Sequence, residues 1–335
     1  MAADAPTTPA TEVPAAQSRG VRVLKDATSR YSLVLVWIAM SLAFTVALPG
    51  VFAQGSVVKA VFGAQQPLVF LGLALVITLS VGEFDLSFAG IFGFAATVVP
   101  AMVVLHGWLV PAAVALAFGG ALVFGVVNAV LVVVVGINSV IVTLGVMSVA
   151  TGAAYFLSDS TAVSGLDPQL SQIALGQFLG LPLLFWYGLV LVLVAAYVMS
   201  FTPLGRAMVF VGSNREVARL AGIDVQLFRF LAYLVSALLC ALAGTLVAFA
   251  LGGFDPGSTN TYFLPAFSAV FLGTVAVVPG RFNPLGMFIA VYFLLTGIVG
   301  FQLLGYPEWV NEVFYGLALL VAVTVSHFVQ KKTRG

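Results

Sequence analysis

The sequence predicts an all-α polytopic membrane protein of about ten transmembrane helices. Three observations predict it: 61% of the 335 residues are hydrophobic, only 7% are charged, and the charges cluster between long apolar runs. Soluble domains carry about 25% charged residues, so a soluble fold is excluded. A net charge of +1 with no basic stripe leaves nucleic acid without a binding surface and membrane lipid as the surroundings. The single cysteine, Cys240, lies in an apolar run and can make neither an intrachain disulfide nor a thiolate metal site.

Residues 1–30 are of another kind. Ala, Pro and Thr dominate up to Gln17, followed by Arg19, Arg22, Lys25 and Arg30, which reads as a disordered cytoplasmic tail. The apolar run 31–48 is longer than the core of a signal peptide and is read as the first span. Further spans are expected at 67–81, 86–105, 110–135, 140–157, 182–200, 230–251, 262–278, 284–300 and 309–328. Within the charge-free stretch from Leu86 to Ser158, the turns are set by His106-Gly107-Trp108 and by Gly136-Ile137-Asn138-Ser139. The transmembrane domain thus covers 31–328, with a central polar loop at 201–229 and a cytoplasmic tail at 329–335.

Ten spans place both termini on one side of the membrane. Arg19, Arg22, Lys25, Arg30, Arg206, Arg215, Arg219, Arg229, Arg281, Lys331, Lys332 and Arg334 then share that side, and only Lys59 of the 13 cations lies opposite. By the positive-inside rule the shared side is cytoplasmic. An internal repeat is also expected. Gly82-Glu83-Phe84-Asp85 closes the second span and Gly252-Gly253-Phe254-Asp255 the seventh, so spans 2–5 and 7–10 would be inverted copies.

The central loop carries the sharpest local signal. Ser213-Asn214-Arg215-Glu216 spells a capping box, with Ser213 as the cap and Glu216 reaching back. Gly222 supplies the residue favoured just past a helix end. The helix so framed, 214–221, is shorter than the roughly 12–15 residues an isolated helix needs in water. It therefore requires a surface to lean on, expected to be another protein.

Glu83 and Asp85 admit two readings. Acids in the membrane are costly and usually functional, which suggests an ion or proton site. Alternatively Asp85 caps the helix that begins at Leu86 and Glu83 sits at the interface; Asp255-Pro256 likewise reads as a cap followed by proline. His106 and His327 have no metal-binding spacing, and neither a nucleophile elbow nor a phosphate-binding loop is present. The chain is thus read as a transport component rather than an enzyme, with no cofactor of its own. The span interiors offer Thr78, Asn128, Thr143, Ser148, Ser236 and Thr274 beside the rings of Phe88, Phe92, Tyr262 and Phe271. Hydroxyls, amides and ring faces suit a neutral polyhydroxylated solute.

Three stretches resemble the permease subunits of bacterial ABC importers of the ribose type. They are Thr78 through Ser87, Ile141-Val142-Thr143-Leu144-Gly145, and Gly205-Arg206 with Gly212 through Ile223; Gly280-Arg281 matches more loosely. The likeness runs from about residue 60 to 325. It implies the ABC importer permease fold, a multi-pass place in the bacterial inner membrane, and a neutral sugar as cargo. It also implies a second permease subunit, two cytoplasmic ATPase domains holding ATP and magnesium, and an extracytoplasmic binding protein. Carried over by motif, Arg206, Ser213, Asn214, Arg215, Glu216, Ala218, Arg219 and Gly222 would form the ATPase-coupling element. Phe84, Asp85, Ser87, Phe88, Asn128, Thr143, Tyr262 and Phe271 would line the substrate pathway. The chain departs from the family pattern in Glu83-Phe84 after a single glycine, in Phe88-Ala89 and in Pro279. Two other functions stay open here: an ion-coupled secondary transporter using Glu83 and Asp85, and a permease for a non-sugar solute such as a nucleoside.

Overall fold

A computed structural model describes residues 19–63 and 67–334 of the chain, with side chains over 31–63 and 67–326. Its helices are α1 (Arg19–Ala47), α2 (Gly55–Gly63), α3 (Pro67–Ser80), α4 (Phe88–Pro100), α5 (Val110–Ala129), α6 (Ser139–Leu157), α7 (Pro168–Leu175) and α8 (Leu183–Phe201). After these come α9 (Pro203–Ser213), α10 (Arg215–Leu220), α11 (Val225–Leu251), α12 (Phe263–Gly273), α13 (Pro284–Leu303) and α14 (Trp309–Arg334). Four two-residue strands, β1 (Val163–Ser164), β2 (Gln177–Phe178), β3 (Leu181–Pro182) and β4 (Gly253–Phe254), pair as β1–β4 and β2–β3, both antiparallel. Eight helical stretches among the described residues are long and apolar enough to cross a membrane.

The turns expected in the charge-free stretch are present, with Gly107 at φ +67° and Gly136 at φ +87°. Asn138 caps α6 by accepting from the Val140 N–H at 2.9 Å. Before each turn the helix widens into one π-helical turn, Ala101–Leu105 after α4 and Val130–Val134 after α5. In α4 the widening directly follows Pro100, whose ring cannot fit a regular helix interior.

Several expected boundaries move. The helix α1 starts at Arg19, inside the stretch read as a tail, because the polar segment 19–30 continues the apolar helix; residues 1–18 lie outside the described residues. At the other end α14 runs on to Arg334, through the expected tail. The polar loop 201–229 is not a loop around one helix. It contains α9, α10 and the start of α11, which begins at Val225 because Asp224 accepts from the Leu227 N–H.

The expected span 262–278 is the largest difference. Its helix, α12, has 11 residues, about 16 Å against the roughly 30 Å of a bilayer core. It is preceded by a 3-10 turn, Pro256–Tyr262, and stops where Gly273 meets the backbone of Met287. The Asn283 amide then donates to the carbonyls of Gly273 and Ala276, each at 3.2 Å, satisfying groups a helix end leaves open.

The core is built on α3, α4, α11 and α13. Every residue of α4 is buried, as is nearly all of α3. Small residues bring the helices close. Gly90 lies against the Met147 backbone of α6, and Gly244 of α11 against Phe92 and Ala96 of α4. By contrast α6, α8 and α14 keep most of their apolar surface outside, as lipid or a partner subunit requires.

The packing is consistent with the repeat. Helix α4 packs against α5 and α6, and α12 against α13 and α14. Helix α3 packs against α12 and α13, α11 against α4 and α5, and the two leading helices against each other. Both breaks have the same local geometry. Gly82 and Gly252 are left-handed, at φ +79° and +68°. Three residues on, Asp85 accepts from the Ser87 N–H at 3.0 Å and Asp255 from the Gly257 N–H at 2.9 Å.

Candidate functional site: the break between α3 and α4

The site grows from the segment Gly82–Ser87. The left-handed Gly82 turns the chain off α3, and of its successors Glu83 and Asp85 are buried while Phe84 between them is exposed. Glu83 is 2% exposed and carries two arginines. Arg215 of α10 bonds its carboxylate at 2.7 Å and the Gly82 carbonyl at 2.9 Å. Arg229 of α11 pairs with the same carboxylate oxygen through Nε, and the Tyr233 hydroxyl donates to the other at 3.2 Å. A buried charge is tolerated only when paired and hydrogen-bonded, and here both conditions hold. Among the described residues these are the two salt bridges.

Asp85 organises a second network one step along. Its Oδ1 accepts the Ser87 hydroxyl at 2.5 Å, and its Oδ2 accepts the Ser236 hydroxyl of α11 at 2.8 Å. Asn128 of α5 donates to Ser87 at 2.7 Å. Thr143 of α6 accepts from the Leu86 N–H at 3.0 Å and donates back to the Ser139 carbonyl. One short segment is thereby tied to α5, α6, α10 and α11. Of the pathway candidates, Asp85, Ser87 and Asn128 are joined in one buried hydrogen-bond network, and the buried Thr143 holds the same segment by its backbone at Leu86. Phe88 and Phe271 belong instead to an aromatic ladder through Phe263 and Phe267, and Tyr262 to a separate ring group with Phe92 and Phe254. Phe88 stacks on Phe263 at 5.5 Å, Tyr262 meets Phe92 edge-on at 4.8 Å, and Phe271 meets Phe282 at 5.5 Å. Phe84 alone among the eight is open, at 44% exposure.

Phe84 lines a cleft of about 1160 Å³ shared by the ends of α3, α8 and α9 and by the Val278–Pro284 segment. Ser80, Arg206, Ser213, Arg281 and Asn283 supply its polar wall, and no acidic residue of the described chain lines it. The Ser80 hydroxyl is buried without a partner.

The coupling candidates divide. The helix α10 is capped by Asn214, not Ser213: the Asn214 side chain accepts from the N–H groups of Glu216 and Val217, each at 3.1 Å. The Ser213 hydroxyl bonds the Phe210 carbonyl instead, so Asn214 takes the role assigned to Ser213 and the helix spans Arg215–Leu220. The far end is as expected, with Gly222 at φ +78° and the Ile223 and Gly222 N–H groups bonded to Ala218 and Arg219 carbonyls. Ala218 is buried with Val81, Met208, Val211 and Val225, so the short helix leans first on its own chain. Arg215 reaches Glu83 with a side chain still 43% exposed, and Arg206, Glu216 and Arg219 are exposed as well. Leu220, 88% exposed, is the most open apolar residue of α10.

Sequence reasoning missed the role of Arg229 and Tyr233. The signal was available, because Arg229, Tyr233 and Ser236 fall at i, i+4 and i+7 and form a polar stripe on an apolar helix.

Comparison with known proteins places these features. The family model described as "Branched-chain amino acid transport system / permease component" matches residues 58–323. The autoinducer 2 import system permease protein LsrC of Salmonella typhi is 28% identical over 297 residues, 88% of this chain and 84% of the relative. The L-arabinose ABC transporter permease protein AraH of Azospirillum brasilense is 26% identical over 98% of this chain and 96% of its own. No solved structure matches the chain significantly. The matched region contains both breaks, the cleft and the whole of α9–α11, so the chain belongs to the family of branched-chain amino acid transport system permease components.

Proposed function

We propose that this ABC permease carries a neutral sugar or a related polyol into the cell. It would work with a second permease subunit, two ATPase domains and an extracytoplasmic binding protein that delivers the solute. The two relatives named for autoinducer 2 import and for L-arabinose support a small polar cargo. The observation that carries the reading is the state of Glu83. Two arginines neutralise it, and Asp85 is locked among hydroxyls, so neither acid is free to hold a coupling ion. A neutral cargo and an energy source on another chain fit that arrangement better than an ion-coupled carrier.

Arg206, Arg219 and Leu220 are the residues we assign to the ATPase contact. They are exposed around the capped α10, on the side that the positive charges assign to the cytoplasm. The cleft beside them, with hydroxyls, an amide, the guanidinium groups of Arg206 and Arg281 and the rings of Phe84 and Phe282, offers an opening for a polar solute. The test is reconstitution of the chain with its ATPase and binding protein, after a thermal-shift screen of the binding protein against pentoses, hexoses, polyols and nucleosides. ATP-dependent uptake of the sugar that stabilises the binding protein is expected. Uptake by the permease alone under a proton or sodium gradient would refute the reading.

A further inference from the structure

The two breaks share a left-handed glycine and an aspartate turn, yet only the first buries an ion pair. At the place of Glu83 the second repeat has Gly253, whose backbone pairs with Ser164 and lies close against the Val163 carbonyl. A break of this shape therefore forms without a buried carboxylate. Buried salt bridges are poor stabilisers, since desolvating the charges offsets their attraction. The Glu83 cluster must be explained by what it joins.

It joins α10 to the break. Arg215 holds both the Glu83 carboxylate and the Gly82 carbonyl, bridging the N-terminus of α10 to the turn off α3. An independent contact runs beside it: Gly212, at the end of α9, lies so close to the Ser80 carbonyl that a Cβ there would sit 2.2 Å away. The corner between α9 and α10 thus bears on the break through backbone and through charge. Arg229 and Tyr233 hold Glu83 from the other side, so Arg215 is the one partner that α10 can pull while the carboxylate stays compensated.

We propose that Glu83 is the receiving end of the coupling stroke. Movement of α10 by the ATPase draws Arg215 and, through Glu83 and Gly82, shifts the Gly82–Ser87 segment. The networks on Asp85, Asn128 and Thr143 then pass that shift to α4, α5 and α6. Arg215 and Glu83 are positioning residues here, acting on the pathway through the break. The inference rests on the assignment of α10 to the ATPase contact.

The test uses the reconstituted transporter with its ATPase and binding protein, and reads solute moved per ATP hydrolysed together with ATPase co-purification. Arg215 is 43% exposed at the side chain and Glu83 keeps Arg229 and Tyr233, so Arg215→Ala leaves no buried charge unpaired. Its transport ratio is expected to fall about tenfold, within the roughly 5–150-fold range of a coupling between sites, with co-purification retained. Arg215→Lys, which can still reach the carboxylate, is expected to recover most of the loss. Glu83→Gln is expected to show the same fall with no further loss in combination with Arg215→Ala; if Glu83→Gln does not accumulate, the Arg215 pair decides alone. An unchanged ratio in Arg215→Ala, or loss of co-purification there, overturns the relay. Arg219→Ala with Leu220→Ala separately tests the underlying assignment: intact ATPase co-purification in that variant refutes docking at α10, whatever Arg215 does.

Discussion

Replacing Arg229 with methionine removes the most buried cation of the site while keeping much of its length. Glu83 is 2% exposed and Arg229 14% at the side chain. Removing one member of a buried pair costs roughly 3–5 kcal/mol, because the remaining charge loses its compensation. Arg215 and Tyr233 stay on the carboxylate, which puts Arg229→Met at the low end, about 3 kcal/mol. Glu83→Gln alone strands Arg229 and should cost a similar amount, about 3 kcal/mol. Replacing both partners together leaves no buried charge uncompensated, only Arg215, which is 43% exposed and keeps its bond to the Gly82 carbonyl, so the double variant should lose only about 1 kcal/mol. The assay is equilibrium unfolding of the purified chain in mixed micelles with increasing dodecyl sulfate, for the four proteins of the cycle. The expected coupling, about 5 kcal/mol by this reckoning, far exceeds the few tenths that independent sites show. An Arg229→Met variant as stable as the parent, or a double variant that loses the sum of the singles, would refute the ion pair as described.

Three further outcomes are open to measurement. Gly244→Ala forces a methyl within 2.5 Å of the Phe92 carbonyl and should cost about 1–3 kcal/mol by overpacking, whereas Gly145→Ala faces open space and should stay within about 0.5 kcal/mol; equal stabilities in the same unfolding assay would contradict the close approach of α4 and α11. Asn214→Ala removes the cap of α10 at about 1 kcal/mol, so hydrogen exchange at the Glu216 and Val217 amides should quicken, and unchanged protection counts against that cap. Cys240 is fully buried, so an impermeant maleimide should leave the folded chain unlabelled; Ser213→Cys and Asp159→Cys should then label from opposite sides of the membrane, and labelling from one side would overturn the assigned topology.

The long helices were legible because spanning a bilayer is a local demand: each apolar run must satisfy its own backbone within one helix. The turns at Gly107 and Gly136 and the helix end at Gly222 were legible for the same reason, since a left-handed residue favours glycine wherever it occurs. The end of α12 was not. The run 262–278 has the hydropathy of a span, but it stops where Gly273 meets Met287 and Asn283 claims its last carbonyls, contacts that hydropathy does not encode. The cap of α10 fell between these cases. Ser213 and Asn214 both suit the position, and α9 decided it by drawing the Ser213 hydroxyl to Phe210.

The site was half legible, and the missing half is pairing. Composition identified Glu83 as a costly acid and Arg215 as a cation on a capped helix, but they lie 132 residues apart, and Arg229 lies 146 from Glu83. Unpaired, Glu83 would read as an ion site and Arg215 as a docking residue. Paired, each cancels the reading the other invited. The ion-site argument fails once the carboxylate is compensated, and the docking argument loses Arg215 once its guanidinium turns inward. Glu216, Val217, Arg219 and Leu220 stay exposed on α10 and open to a partner, while the half-exposed Arg215 connects that helix to the membrane core. The same pair thus speaks against an ion site at the acid and leaves the proposed docking role to the residues one turn along the helix.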